Sequence, residues 1–173
     1  HRVSYEIGKV DQWHHAYVYD ADNRITDVYT TNTTPLTTPS HGQSTSQNEP
    51  EISPFWDKEA HYKYYAHGPL ARIELGEQKV QGLDYVYTLQ GWLKGVNSDI
   101  LKPENDPGKD GIDLAANLFA RDVMGYSLHY FSEDYKGIGS ANGNRTANQT
   151  GSDLMANSTD LYNGNIARMV TTI

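Results

Sequence analysis

Apolar and polar positions alternate through short runs of the chain, and the run LDYVYTLQGWLKGV from Leu83 to Val96 shows the pattern that the others repeat. Tyr85 and Tyr87 are two apart and share one face of a strand. Thr88, Leu89, Gln90 and Gly91 break the alternation, and Gly91 accepts the positive φ of a tight turn. Trp92, Leu93 and Val96 then restart an apolar strand, so the stretch predicts a β-hairpin. A twelve-residue template (Tyr-x-Tyr, a break, Asn or Gly at the seventh position, apolar residues at the ninth and twelfth) fits ungapped from Tyr85, Tyr17 and Tyr62. Tyr17/Tyr19, Tyr62/Tyr64 and Tyr85/Tyr87 share the first and third positions, Asn23, Gly68 and Gly91 the seventh, and Ile25, Leu70 and Leu93 the ninth. This is an internal repeat.

Other runs complete an all-β expectation. Val3, Tyr5 and Ile7 alternate with polar residues and predict a strand over Val3–Val10. Residues 30–54 are dominated by Thr, Ser, Asn, Gln and Pro, and read as a solvated insert with an edge strand around Val28–Thr31. The second hairpin is expected from His61, its return strand carrying Ala71, Ile73 and Leu75 to a turn at Gly76-Glu77. A second insert covers 97–125: loop up to Gly111, then one short helix over Leu114–Met124, capped by Asp113 and ended by Gly125. Strand character returns at Tyr126–Tyr130, with a weaker fourth copy of the template near Leu128 and Asp134. Residues 137–158 form a third polar insert, and Leu161–Ile173 ends in a β-type run around Ile166, Met169 and Val170. The chain reads as a single segment, 1–173, of hairpin sheet.

Composition narrows the partners. Tyr outnumbers Phe by 13 to 3, which suits broad sheets whose rings keep a hydroxyl at a wet edge. A net charge of −8 argues against nucleic acid or an anionic membrane. There is no apolar run long enough to span a bilayer, and the first residues lack the pattern of a signal peptide. The absence of Cys excludes disulfides and thiolate sites.

Candidate chemistry is sparse, and no residue is assigned to a cofactor, a metal or catalysis. Asp20-Ala-Asp22-Asn23 faintly echoes a calcium loop but lacks its Gly and closing acid, so an Asx-rich turn is expected. His14 and His15 point to opposite faces of a strand and cannot chelate together. Asp106-Pro107-Gly108 and Asp110-Gly111 place carboxylates beside glycines, which turn formation explains.

The motifs then resemble a family. YVYDADNRIT from Tyr17 looks like the YD-repeat consensus; YYAHGPLARIELG from Tyr64, LDYVYTLQGWLKGVN from Leu83 and LYNGNIAR from Leu161 are similar to stretches of RHS-repeat proteins of the Bacteroidetes type. The resemblance implies a segment of a large secreted or cell-surface protein, whose hairpins build part of a coiled β-sheet shell or rod. Such a shell encloses a toxin or effector polypeptide, or mediates contact, and its partners are neighbouring repeats or other protein chains. Two rival readings remain. A β-rich glycoside hydrolase would draw its acids from Asp84, Asp99, Glu104 and Asp134, as a pair roughly 5–9 Å apart. A carbohydrate-binding module would stack sugars on Trp13, Trp56 and Trp92.

Overall fold

The computed structural model describes residues 1–33, 56–112, 118–135 and 159–173. Every regular element among them is a strand, so the fold is all-β, and the strands pair antiparallel within each unit. The chain divides into two compact units, His1–Val80 and Gln81–Ile173.

The first unit is a meander of β1 (Arg2–Tyr5), β2 (Trp13–Tyr19), β3 (Ile25–Thr31), β4 (Asp57–Tyr64) and β5 (Leu70–Leu75), each paired with the next. β1 stops well short of Val10, because Glu6 (φ 48°) and Gly8 (φ 79°) turn the backbone out of the extended region. Residues 28–31 are not an edge: they end β3, which has β2 on one side and β4 on the other. β4 likewise starts at Asp57, four residues before His61, and its first residues supply that second partner. The second unit holds β6 (Gln81–Tyr87), β7 (Leu93–Val96), β8 (Gly125–His129) and β9 (Arg168–Thr172), again paired in sequence.

The expected helix over 114–124 does not form in its described part: 118–124 is irregular, and 113–117 lie outside the described residues. Close packing explains why Gly125 begins a strand here and does not end a helix. A Cβ on Gly125 would sit 2.2 Å from the carbonyl oxygen of Ser98, so only glycine lets these two backbones approach. Nor is the loop after β7 a solvated insert: Asn97, Ser98, Asp99, Asp106 and Asp110 are all buried.

Each unit has its own core. Ala16, Val18, Tyr29 and Trp56 form that of the first; Val86, Val96, Phe119, Leu128 and Tyr130 are buried in the second. On β2 and β6 the buried positions are the ones between the template tyrosines: His14, Ala16 and Val18, and Gly82, Asp84 and Val86. The tyrosines line the other, half-buried face, where a ring can pack while its hydroxyl reaches a polar partner.

Candidate functional site

The three template hairpins are one object built three times. Position one pairs with position twelve in each: Tyr17 with Val28, Tyr62 with Ile73, Tyr85 with Val96. Position three pairs with position nine: Tyr19 with Ile25, Tyr64 with Leu70, Tyr87 with Leu93, with a register shift just before each. The shift is the bulge of a three-residue hairpin loop, in which a type I turn is followed by one left-handed residue. Asn23 (φ 60°), Gly68 (φ 114°) and Gly91 (φ 86°) are that residue, and their N–H groups donate to Asp20, Tyr65 and Thr88 at 3.1, 2.9 and 2.9 Å. Asp20, Tyr65 and Thr88 in turn donate their N–H to the carbonyls of Arg24, Pro69 and Trp92 at 2.9, 2.9 and 2.8 Å. The fourth copy has the corresponding hydrogen bond, Asp134 N–H donating to Phe131 at 3.3 Å, but its left-handed residue is Glu133 (φ 59°), one position earlier.

Two tyrosines at the third template position, Tyr64 and Tyr130, clasp the neighbouring hairpin. Tyr64 donates its hydroxyl to the carbonyl of Ile25 at 2.8 Å, while the Arg24 guanidinium lies 4.6 Å from its ring centre. Tyr130, third position of the fourth copy, donates to the carbonyl of Leu93 at 2.7 Å, its ring 5.0 Å from that of Trp92. In both seams the third-position tyrosine of one copy binds the ninth-position carbonyl of the copy before, and packs on its eighth side chain. Arg24 is held in place by Asp20 and Asp22 at 2.7 and 3.1 Å. Asp20 thereby engages its carboxylate with the turn and with Arg24, as an Asx-rich turn requires.

The tryptophans part company. Trp56 is core, and Trp92 packs against Tyr130 and edge-on to Phe131 at 6.5 Å, with Gly164 beneath it. Trp13 stands exposed at the end of a row with His15 and Tyr17, ring centres 6.4 Å apart. His14 is buried and His15 is not, as their opposite faces require.

The candidate acids also scatter. Glu104 is exposed. Asp134 binds the buried Lys94 ammonium through both oxygens, at 2.7 and 2.9 Å. Lys94 Nζ also lies 3.1 Å from His129 Nδ1, and since an ammonium only donates, Nδ1 accepts. The proton is then on Nε2, which faces Ser127 Oγ at 3.1 Å, and that hydroxyl donates to Asp99 at 2.7 Å. Burial, then the charges of Lys94 and Arg168, lower His129 to a pKa of about 4, Asp134 and Asp99 opposing. Lys94 is lowered too, by burial first, against the pull of Asp134. The order Lys, His, Ser, Asp has the look of a nucleophile relay, though Ser127 is fully enclosed. The relay satisfies buried polar groups and joins β7, β8 and the loops beside them.

Asp84 goes elsewhere. It is buried on β6 in reach of Asp106 and Asp110, the pair whose carboxylates turn formation was expected to explain. Asp122 faces the same three, and burial together with Asp106, Asp110 and Asp84 pushes its carboxyl up to about 8. This convergence was missed because the partners lie in three separate stretches with no fixed spacing. The one local signal was the Asp106-x-x-x-Asp110 loop. No family model, curated protein or solved structure matches the chain. Among the described residues no helix is long and apolar enough to cross a membrane.

Proposed function

We propose that this chain is a scaffold segment: part of a larger YD/RHS-type hairpin array, secreted or on the cell surface, that encloses a polypeptide or makes contacts. What carries the reading is the seam, repeated at Tyr64 and Tyr130, by which one template hairpin locks onto the next. A lone two-stranded hairpin is barely stable in water, so a device that joins successive hairpins suits a stacked array. The outer strands agree. Among the described residues β1 pairs only with β2 and β9 only with β8, and both carry exposed apolar side chains, Val3 and Tyr5 on one, Met169 on the other. Such edges accept further strands, and further hairpins of the same kind are the occupants we assign to them.

Sedimentation of the chain from about 1 to 100 µM tests this. Edge-to-edge association is expected, and Val3→Lys with Met169→Lys should move it at least about tenfold upward in concentration. A chain that stays monomeric, and whose retention on a glycan array is lost in Trp13→Ala, would instead be a carbohydrate-binding module. Glycoside hydrolysis abolished by Asp99→Asn would make it a hydrolase.

A further inference from the structure

In the second unit, Asp84 from β6, Asp106 and Asp110 from the loop after β7, and Asp122 from the segment before β8 meet below the surface. One carboxylate oxygen each from Asp84, Asp106 and Asp110 lies within 4.8 Å of the other two. Oxygens bound to a common calcium ion at about 2.4 Å cannot be more than about 4.8 Å apart, and these three meet that condition. Asp122 is the independent observation. Its side chain is only 6% exposed, it takes no hydrogen bond from outside the cluster, and the group it faces most directly is Asp106. Two carboxyl groups removed from water this close together must hold either a proton or a cation between them, and a cation reaches the other two acids as well.

We infer that Asp84, Asp106, Asp110 and Asp122 form a binding site for a calcium ion. The donor set is all oxygen, without the imidazole or thiolate that zinc and copper favour. Four carboxylates, each able to bind through one oxygen or two, offer the six to eight ligands that calcium takes. Magnesium fits less well, since it demands a near-octahedral shell and gives up its water reluctantly, whereas these side chains are buried. Bound calcium would fasten the loop after β7 and the irregular approach to β8 onto β6.

The test uses the full chain stripped with a chelator. Calorimetric titration with calcium chloride is expected to give one saturable site, and calcium at about a hundred times its Kd to raise the Tm by about 5–10 °C. Asp106→Asn and Asp122→Asn should each weaken binding by about tenfold or more, while Asp22→Asn, exposed in the first hairpin turn, should leave it unchanged. If Asp106→Asn does not fold, the wild-type titration and Asp122→Asn still decide. No binding heat and no Tm shift up to 10 mM calcium (about ten times the weaker Kd of extracellular calcium modules) would overturn the site. So would magnesium acting equally at the same concentration, or Asp22→Asn abolishing the response.

Discussion

His129 shows how one side chain is fixed by its surroundings. It accepts from Lys94 on one nitrogen and faces Ser127 with the other, so it has no use for a second proton, and burial penalises the charge that proton would bring. Its pKa falls from 6.5 to about 4 on folding. Between those values the unfolded chain binds the proton and the native one does not. The native state is therefore at full strength above pH 6.5 and loses stability as pH falls toward 4. From pH 7 to 5 the loss from this residue is about 2 kcal/mol. Asp122 acts oppositely, because its raised carboxyl favours the native state as pH falls below about 8. The wild-type slope is thus a difference, and a variant has to separate the two. Urea unfolding of wild type and His129→Gln at pH 7 and pH 5 should show the gap between them closing by about 2 kcal/mol. A gap that stays constant would mean that His129 is not held neutral.

At the scale of elements the seams are the testable unit. If the Tyr64 and Tyr130 hydroxyls each tie one hairpin to the next, Tyr64→Phe and Tyr130→Phe should each cost about 1 kcal/mol, read by denaturant unfolding. Tyr19 holds the same template position but has no template hairpin before it, so Tyr19→Phe should change stability by less than about 0.5 kcal/mol. Equal effects at all three would remove the seam as a shared device. The hairpins themselves were legible: template spacing alone located Asn23, Gly68 and Gly91, because a left-handed position admits few residue types. The use made of the tyrosines was not. Period two says that Tyr62 and Tyr64 share a face, but whether they stack on tyrosines or reach a carbonyl depends on which strand lies alongside and in what register. The helix expectation failed for a related reason. Leu118, Phe119 and Val123 have a plausible helical spacing, yet only Phe119 is buried, and Asp122 and Gly125 are held by contacts to distant segments. Asp84 was visible as an acid on a strand; its neighbours across two loops were not.

At the scale of the whole molecule, the division into two compact units predicts two levels of protection. The first unit encloses Trp56 with Ala16, Val18 and Tyr29, and Asp27 is buried near its middle, bonded to Lys58 at 3.0 Å and His61 at 2.8 Å. Burial alone would raise the Asp27 carboxyl, but the hydrogen bonds from His61 and Lys58 outweigh it and hold the group at about 2, below its ordinary 3.8. That difference contributes about 2 kcal/mol above pH 3.8, lost as pH falls through 2. Asp27→Asn removes it at neutral pH. In the second unit Tyr130 is buried against Trp92. Hydrogen exchange under native conditions reads each unit's opening separately. Asp27→Asn is expected to speed exchange at amides of β2, β3 and β4 by about thirtyfold, the equivalent of about 2 kcal/mol, and to leave β6, β7 and β8 unchanged. Tyr130→Phe should do the reverse, by about fivefold, the equivalent of about 1 kcal/mol. If either variant accelerates both sets of strands together, the two cores open as one, and the units are a single cooperative body.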